Sequence, residues 1–202
     1  MKLKDLIVSI HDNAVEHGWW EGERKPGHIV ALIHSELSEA LEEARAGRPM
    51  VWYKCHEADG HDICDPVDAA DCLNYGHEAA CQHHGNKPEG IAVEIVDAAI
   101  RIMDYLGYVQ FYPLCEAEDL WKDENIKVRD DLADEIAELH KEVSYSFLSM
   151  ENSGPDINTA LLYNVLGSAL TWVSRQGLDP MALIIEKHEY NRDRPYKHGK
   201  IF

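Results

Sequence analysis

Apolar side chains recur at helical spacing in several separate stretches of the chain. In the first stretch, Leu3, Leu6, Ile7 and Ile10 would share one face of a helix, which we expect from Lys4 to about Glu16. Similar stripes predict further helices at about 28–46, 87–106, 128–149, 157–176 and 180–190. The pattern therefore predicts a single all-α domain over residues 1–202, a bundle of about six helices.

A long insertion, residues 47–87, separates the second predicted helix from the third and shows little sustained periodicity. It is rich in soft metal ligands, namely Cys55, His56, His61, Cys64, Cys72, His77, Cys81, His83 and His84. These residues suit zinc, but no two cysteines have the Cys-x-x-Cys spacing of the common zinc sites. We therefore prefer an irregular insertion with reduced thiols and a short helix near 67–83, with structural Zn²⁺ as the alternative.

Acidic residues dominate the composition. Asp and Glu total 37 against 19 for Lys and Arg, which gives a formal net charge of −18. Such a chain should bind neither duplex nucleic acid nor anionic membrane non-specifically. The sequence has no apolar run of membrane-spanning length and no signal-peptide pattern, and its 5 cysteines are an odd number. We therefore expect a cytoplasmic protein.

Two pairs of acidic residues carry the main chemical signal. Glu36 and Glu39 are three residues apart in the second predicted helix, as are Glu94 and Asp97 in the third. Residues at this spacing lie on one helix face, so two adjacent helices could direct four carboxylates at one point. Oxygen ligands suit Mg²⁺, with Mn²⁺ as an alternative. A solvated acidic face is the competing interpretation, although only Arg45 balances the acidic run around Glu39.

The C-terminal segment differs from the rest of the chain in its charge. Five of the 19 basic residues fall between Lys187 and Lys200. Lys187, Asn191 and Arg194 would share one face if the last helix continued that far, and their side chains suit phosphate oxygens. We interpret them as phosphate contacts; a basic tail that offsets the acidic body is the alternative.

Two adjacent indoles, Trp19 and Trp20, follow the first predicted helix. Every nucleobase offers a π face on which an indole can stack, so both are candidate substrate contacts. Either ring could instead simply cover the core.

These features together resemble the all-α nucleoside triphosphate pyrophosphohydrolases of the MazG type. The resemblance covers roughly residues 1–46, 87–107 and 177–200. It rests on Glu36-x-x-Glu39, Glu94-x-x-Asp97, the Lys87-Pro88-Glu89-Gly90 lead-in to the third helix, and the closing run from Lys187 to Lys200. One departure is the separation of 54 residues between Glu39 and Glu94, which is longer than in compact members of the family.

The resemblance implies an enzyme that cleaves a nucleoside triphosphate to the monophosphate and pyrophosphate. It implies Mg²⁺ bound by Glu36, Glu39, Glu94 and Asp97, and phosphate contacts from Lys187, Asn191 and Arg194. Glu36 and Glu39 are then the candidate catalytic residues, and we take Glu39 as the general base. A homodimer is also expected by resemblance.

The second half of the chain contains an echo of the first. Residues 134–138 align with 35–39 without a gap, and aligning Gly177 with Gly107 sets Asn164 and Gly167 opposite Glu94 and Asp97. We interpret this echo as a degenerate duplication of a helical hairpin.

Two other functions remain open. The dipeptides His11-Asp12 and His61-Asp62 would suit a His-Asp type metal phosphohydrolase. A non-enzymatic helical interaction module with a zinc-stapled insertion is the other alternative.

Overall fold

A computed structural model describes residues 2–22, 24–54, 87–111, 120–122, 125–148 and 158–196. Within these ranges the fold is all-α apart from one short two-stranded ribbon, which confirms the predicted fold class. The helices are α1 (Leu3–Glu16), α2 (Pro26–Arg45), α3 (Ile91–Tyr108), α4 (Leu132–Leu148), α5 (Thr159–Arg175) and α6 (Pro180–Arg192), with a 3-10 turn at Leu120–Lys122. Most of the insertion between α2 and α3 lies outside the described residues, and so do the zinc and helix predictions made for it.

The central element is α3, which packs against α1, α2, α5 and α6. Its sequence explains this position, because apolar residues occur all round the helix and not along a single stripe. The second helix also packs on α4, and α4 packs on α5. Four helices, α2 to α5, thus form the bundle, and α1 and α6 cover α3.

A two-stranded antiparallel ribbon closes the base of the insertion. It consists of β1 (Trp52–Lys54) and β2 (Lys87–Glu89), with Tyr53 opposite Pro88. The prediction that Pro88 lies in the third helix is therefore wrong, since that helix begins at Ile91. Proline lacks an N–H and restricts the residue before it to extended conformations, which suits a short edge strand.

Gly90 joins this ribbon to α3, at a position where only a residue without a side chain fits. Its φ is +113°, and a Cβ atom would lie 2.8 Å from the carbonyl oxygens of Pro49 and Met50. The same close approach lets the N–H of Ala92 donate to the Met50 carbonyl at 2.9 Å. The loop after α2 therefore caps the start of α3 and fixes these two helices relative to one another.

Capping residues and apolar spacing in the sequence indicate some helix boundaries correctly and others incorrectly. Asp179 caps α6, accepting from the N–H groups of Met181 and Ala182, and Pro180 is its first residue. The predicted start of the fourth helix at Val128 is wrong, because α4 begins at Leu132. None of the helices in the described ranges has the length and apolar character needed to cross a membrane.

Candidate metal centre

Three carboxylates from two helices converge where α2 packs on α3. Glu36 and Glu39 lie on α2 and Glu94 on α3, and one oxygen from each lies within 4.8 Å of the others. Glu36 and Glu94 are buried, with 8% and 4% exposure, whereas Glu39 is exposed. The i, i+3 spacing places the two α2 carboxylates side by side, and the helix contact adds the third.

This carboxylate triad (Glu36, Glu39 and Glu94) fits a hard cation. In an octahedral magnesium site with bonds of about 2.1 Å, opposite oxygens lie about 4.2 Å apart, and calcium bonds of about 2.4 Å raise this to about 4.8 Å. The oxygens of the triad fall within that larger span. The triad could therefore hold a metal ion after small side-chain adjustments, and its all-oxygen donor set suits several divalent ions.

Asp97, the fourth predicted metal ligand, has a different partner. Its Oδ2 lies 2.9 Å from Nζ of Lys187, a side chain that is only 2% exposed. The ammonium of Lys187 also donates to the carbonyl oxygen of Pro88 at 2.8 Å. Asp97 stands beside the triad without being part of it, and Lys187 is almost fully buried.

A second cation, Arg101, was missed in the sequence. Its Nε and Nη2 atoms each lie 3.0 Å from Oε1 of Glu36. Arg101 follows Asp97 by four residues and Glu94 by seven, so helical spacing places all three on one face of α3. A single cation in an otherwise apolar and acidic helix was the signal that could have revealed it.

The electrostatics of the triad favour a neutral or cation-bound state. Burial raises the pKa of Glu36, an effect that Arg101 opposes and Asp97 and Glu39 reinforce. Burial and the charge of Asp97 raise the pKa of Glu94 to about 9, and a hydrogen bond with Glu89 adds to the shift. Without a metal ion, Glu94 therefore keeps a proton near neutral pH.

Lys187, which is buried, and Arg101, which is half-buried, both remain charged in this setting. Burial alone would lower the pKa of Lys187, but the charges of Asp97 and Glu94 raise it above its ordinary value. Glu36 and Asp97 likewise outweigh burial and raise the pKa of Arg101. Lys187 and Arg101 thus act as permanent counter-ions to Asp97 and Glu36 respectively.

The triad faces a cavity of about 100 Å³ that several of the predicted site residues line together. Besides the triad and Asp97, its walls include Trp19, Lys87 and Arg194. A smaller cavity of about 50 Å³ shares Trp19, Asp97, Arg101 and Arg194 with it and extends to Asn191. The structure thus brings the acidic motifs, one indole and part of the basic C-terminal segment to one place.

Arg194 lines this cavity from a position beyond the end of the last helix, which the helical pattern did not predict. The last helix, α6, ends at Arg192, so Arg194 does not share a helical face with Lys187 and Asn191. Its carbonyl oxygen accepts a hydrogen bond from Nε2 of His17 at 2.8 Å, which fixes the turn after the helix. Oδ1 of Asn191 is buried and has no hydrogen-bond partner within the described residues.

Trp20 lies apart from its neighbour and lines neither cavity. Its Nε1 donates to Oδ1 of Asp104 at 2.8 Å, and its ring stacks on Tyr108 with centroids 4.2 Å apart. Nδ1 of His11 bonds the same Asp104 oxygen at 2.8 Å, and Arg24 lies over the Trp20 ring. Trp20 therefore belongs to a polar cluster that joins α1 to α3.

Comparisons of the chain with protein-family models, curated proteins and solved structures gave no match.

Proposed function

We propose that this protein is a magnesium-dependent pyrophosphohydrolase that cleaves a nucleoside triphosphate to the monophosphate and pyrophosphate. One observation carries the proposal: three carboxylate oxygens within 4.8 Å of one another face a cavity that an indole and an arginine also line. The carboxylates suit a divalent ion, the indole suits a nucleobase, and the arginine suits a phosphate chain. The MazG-type motifs of the sequence agree with this assignment.

The acidic residues have distinct roles in the proposed reaction. A bound Mg²⁺ or Mn²⁺ would neutralise phosphate oxygens and lower the pKa of the attacking water. Glu36 and Glu94 suit fixed ligation, because both are buried and Glu36 is oriented by Arg101. Glu39 is exposed, and its Oε1 accepts from the hydroxyl of Ser35 at 3.2 Å. It is the carboxylate best placed to accept the proton of the water.

The substrate contacts follow from the walls of the cavity. Arg194 and Lys87 supply positive charge for the phosphate chain, and Trp19 supplies an apolar face for the base. Asn191 adds an amide in the adjoining cavity. Lys187 is too deeply buried for direct contact, so we assign it the role of positioning Asp97.

The His-Asp alternative gains no support from the described residues. The ring of His11 is bonded to Asp104 and not presented as a metal ligand beside Asp12. The other dipeptide, at residues 61–62, lies outside the described ranges.

The products of a nucleotide screen test the proposal. We expect turnover of one or more nucleoside triphosphates with Mg²⁺, release of pyrophosphate in equal amount to the monophosphate, and no turnover in chelator. Release of orthophosphate with a diphosphate, or no turnover across all ribo- and deoxynucleoside triphosphates, would overturn it.

A further inference from the structure

The second helical hairpin, α4 with α5, repeats the arrangement of α2 with α3. Within each hairpin the two helices pack together, and the hairpins meet through contacts of α2 with α4 and of α3 with α5. In the aligned sequences, Glu135 and Glu138 take the places of Glu36 and Glu39. The structure therefore contains a second location that corresponds to the metal centre.

This second location lacks the acidic pair of the first hairpin's second helix, and its buried carboxylate has a different partner. Glu135 is buried, and its Oε2 accepts the backbone N–H of Arg129 at 2.6 Å. Uncharged Asn164 stands where Glu94 is in the first hairpin, and Gly167 stands where Asp97 is. A Cβ atom on Gly167 would lie 2.9 Å from Cδ1 of Ile126, so the segment before α4 packs where a carboxylate would project.

A cavity of about 790 Å³ remains beside this altered hairpin. Its volume falls within the range of small-molecule sites. Its lining holds three cations against two carboxylates, together with apolar and aromatic side chains: Lys127, Arg129 and Arg175, Glu138 and Glu142, Ile126 and Tyr163. In a chain with a net charge of −18, such a group of cations favours an anionic ligand.

The polar groups of this cavity are separated along α5. Arg175 lies in the last turn of the helix, and Asn164 lies 11 residues earlier, about 16 Å away at 1.5 Å per residue. Asn164 shares the cavity wall with Glu142, whose Oε2 is buried and has no hydrogen-bond partner in the described part of the chain. A buried acceptor of this kind needs a hydrogen-bond donor, and the N–H groups of a ligand can supply it. One end of the cavity thus suits phosphate, and the other suits a group with N–H donors.

We propose that this cavity binds a nucleoside phosphate without a metal ion. Arg175 and Arg129 contact the phosphate oxygens directly, in place of the cation that the first hairpin uses. Arg129 can do so because its ion pair with Glu138, at 3.5 Å, is long and exposed. Glu142 and Asn164 form hydrogen bonds with the N–H groups on the edge of the base, and Tyr163 forms part of the apolar wall of the cavity. This site is separate from the proposed hydrolytic centre, so it would serve as an effector site.

Calorimetry of the full chain in excess EDTA tests this proposal, with the four ribonucleoside triphosphates and inorganic tripolyphosphate as probes. At least one nucleotide should bind saturably without metal and more tightly than tripolyphosphate. Arg175→Gln and Glu142→Gln should each weaken that binding at least tenfold. Arg45→Gln is the matched control, because Arg45 is also an exposed arginine in the last turn of a helix, and it should leave the binding unchanged.

The controls separate this site from the metal centre. Glu39→Gln should lower magnesium-dependent turnover by about a hundredfold or more and leave binding in EDTA intact. The proposal is overturned if no probe binds, if tripolyphosphate binds as tightly as the nucleotides, or if Arg194→Gln removes the binding and Arg175→Gln does not. None of these outcomes depends on whether the chain hydrolyses nucleotides.

Discussion

Lys187 on α6 and Asp97 on α3 form a buried ion pair, with 2.9 Å between Nζ and Oδ2. Burying a lysine is costly unless its charge is paired and its donors are bonded, and here Asp97 and the Pro88 carbonyl meet both needs. The pair links the last helix, the ribbon and the acidic helix. It also explains why Asp97 does not join the other three carboxylates.

Breaking this ion pair from one side should destabilise the protein. Lys187→Met leaves Asp97 without its partner, and we expect a loss of about 3–5 kcal/mol in the free energy of unfolding. The double variant Lys187→Met/Asp97→Asn should recover a large part of that loss, because neither charge remains unpaired. Urea denaturation of the wild type, both single variants and the double variant measures the coupling. Purely additive losses would contradict the assigned role.

Removing the exposed carboxylate should affect catalysis and not stability. Glu39→Gln should lower kcat for nucleotide cleavage by about a hundredfold or more, since general-base catalysis contributes on the order of 10²–10⁴-fold. The melting temperature should stay close to that of the wild type, because Glu39 lies at the surface. Glu42→Gln changes an exposed glutamate on the same helix and is the control; equal losses of activity in both variants would count against Glu39.

The raised pKa of Glu94 predicts how stability depends on pH without metal. Between 4.5 and about 9 the folded state keeps a proton on Glu94 that the unfolded state releases. Stability should therefore fall as pH rises through this window, by up to about 1.4 kcal/mol per pH unit from this group. Glu94→Gln should remove that part of the slope.

Thermal unfolding in EDTA from pH 5 to 9 measures this effect. The same series with Mg²⁺ measures how much a bound cation stabilises the protein at each pH. Because the cation binds the ionised carboxylate, its stabilising effect should grow with pH. An identical pH slope in the wild type and in Glu94→Gln would show that Glu94 is not the group responsible.

The two adjacent indoles should respond differently to substitution. Trp19→Ala should raise KM by about tenfold, as expected for the loss of one base-stacking contact. Trp20→Phe should instead lower stability by about 1–3 kcal/mol, because the Asp104 carboxylate loses the indole donor. Steady-state kinetics and denaturation of both variants test the assignment, which fails if Trp20→Phe raises KM at unchanged stability.

Helical periodicity predicted the bundle well, because each helix buries a face that recurs every three or four residues. It also predicted that Glu36, Glu39 and Glu94 would meet, since their spacing and the neighbouring stripes determine which way they point. It could not predict the ion pair of Lys187 with Asp97, which joins residues 90 positions apart. Contacts of that kind depend on how α6 docks, and no local pattern encodes the docking.

The basic C-terminal residues illustrate the same limit. Their composition suggested phosphate binding, but helical spacing alone treated Lys187 and Arg194 as equivalent. In the structure Lys187 is buried against Pro88, whereas Arg194 lines the cavity, because α6 ends at Arg192 and the chain turns. The extent of the helix, and not the type of residue, separates a positioning lysine from a candidate substrate contact.

The most direct measurement is anomalous diffraction from crystals soaked in Mn²⁺. A peak between the carboxylates of Glu36, Glu39 and Glu94, within about 2.0–2.4 Å of an oxygen from Glu36 and of one from Glu94, is the result we predict. The absence of a peak at this position at saturating Mn²⁺, with the three side chains ordered, would contradict the metal centre on which the proposed enzyme depends.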